Sequence, residues 1–355
     1  MNKKINLESF NLKGFFVKAK SSLLSFVVVS FLTVILTSCG GASSGASSLT
    51  KKDYLVKYPK SSYLVGEGIG QSESEARSNA KAELTRIFES RIMSDTLDSI
   101  KASIGPGFES VEQSITSDVR VSADMEVKGL EIGGTWKEAD TGTHHAIAVL
   151  DRTKGRDLYM ADLNNIDTLI NAELKAQTSM KGRLLPYRSM KKILNVWVER
   201  AVVVSRLRVL GRSNTSTSYN IKDVFNKVAE LKSTLPIYVE ITSEDTESSR
   251  LLAEFLSSAL ADKGYVLTKD KTTAEALVTG NVSVTEAVMH NPGWEFALAK
   301  GSVALSEPGT DINVVEVAGE QRGSDLSFER ATYKSLKKLS KVMATKMIDS
   351  LEKGE

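Results

Sequence analysis

The sequence predicts an α+β protein in which three folded segments follow an N-terminal leader. Three observations predict this class. Short stretches alternate apolar and polar residues, as strands do, and longer stretches repeat apolar residues three and four apart, as helices do. In the first segment a strand and a helix precede several antiparallel strands. We expect an N-terminal α+β domain with a mostly antiparallel sheet over residues 54–157, a helical hairpin over 158–212, and a C-terminal α/β sandwich domain over 235–355.

The first segment opens with a predicted strand, Tyr63–Gly70, followed by a helix. Ser72 and Glu75 form a capping box, which marks a helix start. The apolar face of this helix contains Ala76, Ala80, Leu84, Ile87 and Phe88. Its small alanines allow close packing on a sheet.

Further strands complete the predicted first domain. Alternation over Val119–Val127 predicts a strand with one solvent-facing side. Trp136 and Ala146–Leu150 flank the turn sequence Asp140-Thr141-Gly142, which predicts a β-hairpin.

The second and third segments contain further periodic stretches. Two helices joined at Gly182 have apolar faces centred on Ile170 and Trp197, which predicts an αα-hairpin. In the third segment the helix around Phe255 ends at Gly264, and a last helix extends to Leu351. The strands predicted for this segment are Ile237–Ile241, Tyr265–Leu267, Ala276–Val284, Phe296–Leu305 and Asn313–Ala318.

The N-terminal leader resembles a bacterial lipoprotein signal. Five lysines precede an apolar run, Leu23–Leu36, which at about 14 residues is shorter than the roughly 20 that a membrane span needs. The sequence Leu36-Thr37-Ser38-Cys39 resembles the lipobox, and Cys39 is the only cysteine. The resemblance implies that residues 1–38 are a signal peptide and that Cys39 is lipidated. An ordinary secretory leader and a retained membrane anchor are the alternatives.

Residues 39–53 are predicted to form the lipidated N-terminus and a flexible tether. Within it, the small-residue stretch 40–50 spans about 18 Å root-mean-square as a Gly/Ser chain. In bacterial lipoproteins an aspartate after the cysteine favours retention at the inner membrane. Gly40 therefore implies, by resemblance, the outer membrane, with the domains in the periplasm.

Charge excludes one class of partner. The precursor has 46 basic and 44 acidic side chains, and loss of five lysines and Glu8 with the leader leaves 41 and 43. A nucleic-acid-binding protein would show a clustered basic excess, so we expect no nucleic-acid partner.

Residues Tyr63–Ile92 resemble the bacterial LPP-twenty lipoprotein family. The resemblance rests on the Tyr-Leu-Val-Gly-x-Gly strand, the Ser-x-x-Glu helix start and the alanines four residues apart, and Trp136–Arg152 also fits. The resemblance implies a location in the cell envelope and a domain architecture, and it says little about a mechanism.

The third segment is similar to the small α/β domains of cell-envelope assembly proteins. The residues that carry this similarity are Ile237–Ile241, the helix end at Gly264-Tyr265, and Ala274-Glu275-Ala276 with Gly280. Such domains usually bind partner proteins and catalyse nothing, so an unidentified envelope protein is the implied partner.

Several motifs invite catalytic interpretations that their context does not support. Gly41-Ala42-Ser43-Ser44-Gly45 matches a hydrolase nucleophile pattern but lies in the tether, without the flanking strand and helix. Gly66, Gly68 and Gly70 lack the dinucleotide spacing and are interpreted as a strand that meets a helix closely.

The histidines and carboxylates form no recognisable site either. His144 and His145 are strand neighbours that point to opposite faces, with His290 far away in sequence, so we expect no metal and no cofactor. Glu138 and Asp140 are interpreted as turn residues rather than a glycosidase pair.

Basic residues cluster on the helical hairpin and on the last helix. Solvation or pairing within the fold is the expected role, and contact with anionic headgroups, peptidoglycan or an acidic partner is the alternative. These residues are Arg183, Arg188, Lys191, Lys192, Arg200, Arg206, Arg208, Arg212, Lys334, Lys337, Lys338, Lys341 and Lys346.

The sequence therefore predicts a lipid-anchored envelope lipoprotein that is not an enzyme and acts as a binding or assembly module. Its expected contacts are the membrane, through lipid on Cys39, and an envelope protein, with no small-molecule substrate identified. An envelope enzyme such as a cell-wall hydrolase, or a flagellar or secretion-ring component, is the alternative.

Overall fold

The computed structural model describes residues 50–105, 112–123, 126–289, 292–310 and 313–354, all within one compact unit, Ser48–Glu355. The helices among these residues are α1 (Lys51–Lys57), α2 (Glu73–Ile104), α3 (Glu112–Ala123), α4 (Arg152–Gln177), α5 (Leu184–Val209), α6 (Ile221–Ser233), α7 (Thr246–Asp262) and α8 (Phe328–Lys353). The strands are β1 (Tyr63–Gly70), β2 (Leu130–Lys137), β3 (His144–Asp151), β4 (Ile237–Thr242), β5 (Ala276–Glu286), β6 (Glu295–Ser306) and β7 (Asn313–Asp325). The α+β class is confirmed.

The first sheet is antiparallel, with strand order β1-β3-β2, and α2 packs on it. The glycines of β1 decide how close α2 comes. A Cβ added at Gly68 would overlap the backbone nitrogen of Ala80, and one at Gly66 would lie 2.6 Å from the nitrogen of Leu84. The expected close contact between the glycine-rich strand and the alanine face is therefore confirmed.

Aromatic residues of α1 and its C-terminal cap pack against β2. The Tyr54 hydroxyl donates to the carbonyl oxygen of Thr135 at 3.2 Å, and Tyr58 donates to that of Gly133 at 3.0 Å. Tyr54 also stacks on Trp136, with ring centroids 5.6 Å apart. Because α1 begins at Lys51, helical structure starts inside the segment 39–53 that was predicted to be a tether.

The strand predicted over Val119–Val127 is wrong, because helix α3 contains residues up to Ala123. Val119 and Ala123 are buried, whereas Val121 is 71% exposed, so the buried positions follow a spacing of four rather than two. Arg206 of α5 holds the end of this helix by donating to the carbonyl oxygen of Ser122 at 2.9 Å. Tertiary contact with α5 thus overrides the local alternation.

Helices α4 and α5 form the predicted αα-hairpin. Helix α4 begins at Arg152, capped by the Asp151 side chain, and crosses the boundary predicted between 54–157 and 158–212. Helix α5 is buried on most of its surface and contacts α2, α3, α4, α6 and α8. One continuous apolar core therefore runs from the first sheet through α5 to the second sheet. The domain boundaries themselves stay a prediction.

The second sheet has the order β4-β5-β6-β7, with β4 parallel to β5 and the other pairs antiparallel. Helix α7 packs on β4 and β5, and α8 packs on β6 and β7. The strand predicted over Tyr265–Leu267 reduces to one bridge between Leu267 and Ile237. Helix α6 had no sequence-based prediction.

Candidate functional site

A groove with a volume of about 940 Å³ lies between α3, α5, α6, α7 and α8. This volume falls at the upper end of the roughly 300–1,000 Å³ typical of ligand pockets. A second cavity, beside Tyr58 and Gly133, has a volume of about 90 Å³. The groove is therefore the candidate site.

The groove combines apolar walls with a charged rim. Its apolar side chains include Leu194 and Val198 of α5, Phe255 and Ala259 of α7, and Ile348 of α8. Its lysines and carboxylates are Lys191, Lys232, Lys263, Lys337, Lys341, Asp118, Asp262, Asp349 and Glu352. Five cations thus face four anions around an apolar floor.

Helix α8 forms one long wall of the groove. Lys337, Lys341, Thr345, Asp349 and Glu352 recur at intervals of four and three along α8, so they share one face of that helix. The opposite face of α8 is apolar and packs on the second sheet, which fixes the rotation of the helix about its axis. The stripe formed by these five residues therefore points into the groove.

Glu352 lies at the end of this stripe and is the most strongly engaged group in the groove. Its carboxylate accepts from the Tyr187 hydroxyl at 3.1 Å and from the Tyr265 hydroxyl at 2.8 Å. Lys191 and Lys232 approach the same carboxylate at 2.7 and 3.2 Å. Four donors from α5, α6 and the loop after α7 thus converge on one side chain.

The charge state of Glu352 follows from these contacts. Burial alone would raise its pKa, but Lys191, Lys232 and the Tyr265 hydroxyl outweigh that cost and lower the pKa to about 2. Burial, and then the negative charge of Glu352, raises the pKa of Tyr187, so this hydroxyl stays protonated and donates. Glu352 is therefore an ionised tie between helices.

Asp118 is the groove carboxylate with the opposite shift. It is exposed, yet the protein atoms around it raise its pKa, and Lys191 opposes that rise. Asp118 forms no hydrogen bond or ion pair with the residues that the structure describes. The environment of Asp118 therefore favours the protonated form of its carboxyl.

The residues singled out from the sequence do not assemble into one site. Cys39, the segment Gly41–Gly45 and His290 lie outside the described residues. His144 and His145 are adjacent on β3, and His145 stacks on Trp136 with centroids 4.9 Å apart. Glu138 accepts from the Thr141 hydroxyl at 2.7 Å in the hairpin turn.

Much of the basic character is paired within the fold. Arg200 meets Asp167 at 2.6 Å, and Lys192 meets Glu173 at 2.9 Å. The guanidinium of Arg206 is buried and lies 5.3 Å from the centre of the Tyr159 ring. Lys337 and Lys341, by contrast, line the groove without an ion pair to any described residue.

Sequence reasoning missed the groove and Glu352. Part of the signal is in the sequence, since Lys337 and Lys341 belong to the basic cluster of the last helix. The convergence of Tyr187, Lys232 and Tyr265 on residue 352 depends on tertiary packing, and no local spacing reveals it.

Within the described ranges, no group of three or more His, Cys, Asp or Glu side chains is arranged to hold a metal ion. The same residues contain no helix long and apolar enough to cross a bilayer.

Comparison with known proteins gives structural matches alone. No family model and no curated protein matches the chain. A "putative lipoprotein" from Caulobacter crescentus CB15 is 15% identical, with a TM-score of 0.23, over 32% of this chain and 87% of that one. The secreted protein HP1454 from Helicobacter pylori is 12% identical, with a TM-score of 0.38, over 81% of this chain and 98% of that one. A minor lipoprotein from Acinetobacter baumannii is 9% identical, with a TM-score of 0.26, over 34% and 91%.

These TM-scores carry no conclusion about activity. The resemblance of Tyr63–Ile92 to the LPP-twenty family stays a prediction from the sequence.

Proposed function

We propose that this protein is a lipoprotein of the bacterial envelope, anchored through Cys39 and acting as a non-catalytic binding module through its groove. The leader 1–38 is removed, acyl chains such as palmitate hold Cys39 in the outer membrane, and the folded body faces the periplasm. The observation that carries the binding role is the groove itself. The Glu352 carboxylate in it is bonded to side chains of the groove walls and holds these walls together, so it is not free to act on a substrate.

Anchoring follows from the lipobox at Leu36–Cys39. Each buried CH₂ contributes about 0.8 kcal/mol, so two or three acyl chains hold a protein on a bilayer where one alone binds marginally. Confinement to a surface raises the effective concentration of the groove near a membrane-bound partner.

The chemistry of the groove suits protein recognition. It offers an apolar floor that can desolvate a partner's side chains and a rim of unpaired charges that can fix orientation. Its most strongly held ion pairs, Lys191 and Lys232 with Glu352, join helices to one another, so the groove keeps its shape without a ligand.

Anchoring is tested with Cys39→Ser. We expect the wild-type chain to incorporate labelled palmitate and to stay with membranes after a carbonate wash. The variant should lose the label and leave the membrane fraction. Retention of the variant in membranes at unchanged size would contradict lipid anchoring.

Binding is tested with a photo-reactive amino acid at Ser258, which is exposed on the groove wall, and with the same substitution at Ser74, exposed on α2, as the matched control. In intact envelopes we expect a specific crosslinked protein from position 258 and none from position 74. Equal crosslinking from both positions, or from neither, would remove the groove as a docking site.

A cell-wall hydrolase is the alternative class, and Asp118 is the residue that favours it. Its raised pKa suits a general acid. Release of soluble fragments from purified peptidoglycan, lost in Asp118→Asn with folding unchanged, would establish this alternative and replace the binding role.

A further inference from the structure

Large exposed apolar side chains gather at one end of the second sheet. Glu295 and Asp325 form the last residue pair of β6 and β7, so Trp294 and Leu326 both lie just beyond the same end of the sheet. Val288 is 97% exposed and Leu326 is 67% exposed. We call Val288, Met289, Trp294, Leu326 and Phe328 the apolar tip. Exposed apolar residues grouped in this way mark interaction sites in soluble domains.

Carboxylates surround the apolar tip. Glu286, Glu295 and Glu329 are exposed and form no ion pair with described residues, whereas Asp325 pairs with Lys334 at 2.7 Å. The positive charge of Arg330 also lies near Asp325. Glu295 stands directly opposite Asp325 across the two strands, and like charges in that position weaken a sheet. The tip therefore has an acidic rim that the fold does not need.

The groove has the complementary character. Lys263, Lys337 and Lys341 form no ion pair with the residues that the structure describes, and the walls between them are apolar. Its volume of about 940 Å³ is large enough to receive several side chains. With five lysines and four carboxylates the groove carries one excess positive charge, which is opposite in sign to the acidic rim of the tip. An apolar knob with an acidic rim therefore fits this apolar groove.

The two surfaces cannot meet within one molecule. Phe328 begins α8 and belongs to the tip, while Ala344 of the same helix lines the groove. At 1.5 Å per residue they lie about 24 Å apart along a continuous helix, and Lys337, the groove residue of α8 that is nearest in sequence to Phe328, lies about 14 Å from it. A tip that fills a groove must therefore come from another molecule.

We propose that the apolar tip of one molecule docks in the groove of a second copy, so that the protein assembles head to tail. This inference rests on the proposed function of the groove as a docking site. Because the contact joins different surfaces of identical chains, it is heterologous, and repetition gives a closed ring or an open filament. Confinement at a membrane strengthens such an assembly without new contacts.

Crosslinking between two differently tagged full-length chains tests the geometry. One chain carries Val288→Cys, the other carries Ser258→Cys, and both are treated in the envelope with a flexible bis-maleimide. We expect a crosslink between the two tags and none within either chain alone. A chain that carries both substitutions should give a ladder of oligomers, and the unsubstituted chain should give no crosslink.

Three results would overturn the proposal. The first is self-crosslinking of the Val288→Cys chain, which indicates tip-to-tip contact. The second is protection of the Val288→Cys thiol by the bilayer. The third is the absence of any crosslink between the two tagged chains. If Ser258 captures a different protein while the two tags stay unlinked, the groove keeps its proposed function and the head-to-tail contact is refuted.

Charge reversal tests the complementarity. Glu286→Lys with Glu295→Lys on the tip, or Lys337→Glu with Lys341→Glu in the groove, should reduce the crosslinked yield by about fivefold for each pair of changes. Combining the reversed tip with the reversed groove should restore the yield. Unchanged yield after reversal, or no recovery in the combination, would contradict the proposal.

Discussion

Two strand-helix units of this protein, β1 with α2 and β7 with α8, use the same local device. In each, a serine caps the helix: Ser72 accepts from the Glu75 amide at 3.2 Å, and Ser327 accepts from the Arg330 amide at 3.4 Å. In each, a strand glycine also faces the fourth helical residue, which is an alanine. A Cβ at Gly70 would lie 2.6 Å from the nitrogen of Ala76, and one at Gly323 would overlap the carbonyl oxygen of Ala331.

The units differ further along the helix. In the first, Gly66, Gly68 and Gly70 all face the backbone or Cβ atoms of α2, so the helix lies directly on the strand. In the second, the atom that a Cβ at Gly319 would meet is the end of the Leu339 side chain at 3.4 Å. Met343 similarly reaches toward Gly301 with its terminal methyl. In this part of the second unit, side chains of α8 therefore fill the space between the helix backbone and the sheet.

The number of glycines in the strand controls the distance between the helix and the sheet on which it packs. Three alternate glycines bring α2 onto the strand from Gly66 to Gly70. One glycine anchors the start of α8, and larger side chains then hold the helix away from the sheet. The part of α8 beyond that anchor has its other face free to line the groove.

The largest predicted effect comes from filling these close contacts. Gly68→Ala and Gly323→Ala each force a methyl group into helix backbone, and we expect a loss of about 3 kcal/mol in the free energy of unfolding. Gly319→Ala is the matched control, because its methyl would meet a side-chain end at ordinary distance, and it should change stability by less than about 1 kcal/mol. Denaturant unfolding of the three variants measures this, and a similar loss in all three would refute the difference in layer spacing.

The second largest effect concerns the ion pairs of Glu352 that join the groove helices. Glu352→Gln removes the charge that Lys191 and Lys232 face. Since the Glu352 side chain is 35% exposed, we expect a loss of about 2 kcal/mol at neutral pH, less than for a fully buried pair. Asp349→Asn, in the same groove but without an ion pair to a described residue, should leave stability unchanged.

This tie also predicts a pH dependence. The folded pKa of Glu352, about 2, is below the ordinary value of 4.5, so its contribution is complete above pH 4.5 and is lost as pH falls toward 2. The stability difference between wild type and Glu352→Gln should shrink over that interval in acid unfolding curves. A difference that stays constant down to pH 2 would contradict the assignment.

The smallest effects are those of the helix caps. Ser72→Ala and Ser327→Ala should each cost about 1 kcal/mol, whereas replacement by aspartate should preserve most of the stability. Because the Ser72 bond is shorter, we expect the larger loss in α2, measured by thermal unfolding. Equal stability of the serine and alanine variants at both sites would show that the caps contribute nothing.

Local sequence rules predicted the parts of the fold that depend on neighbouring residues. The Ser72 cap, the alanines facing β1 and the turn at Asp140–Gly142 all appear in the structure, because their geometry is fixed within a few residues. The reciprocal half of the predicted capping box does not form, because the Glu75 carboxylate accepts from the Gln71 amide at 2.7 Å rather than from the Ser72 amide. The strand predicted over Val119–Val127 failed, because its alternation also satisfies a helical spacing and α5 selects the helix.

The sequence by itself determined the α+β class, the helical hairpin, the resemblance of Leu36–Cys39 to a lipobox and the balance of charge, since these depend on composition and on spacing along the chain. The tertiary structure alone decided the groove, the convergence of four donors on Glu352 and the gathering of Val288, Trp294 and Leu326 at one sheet end. Those features join residues far apart in sequence, and the free energy that brings them together comes from burial of the core around α5.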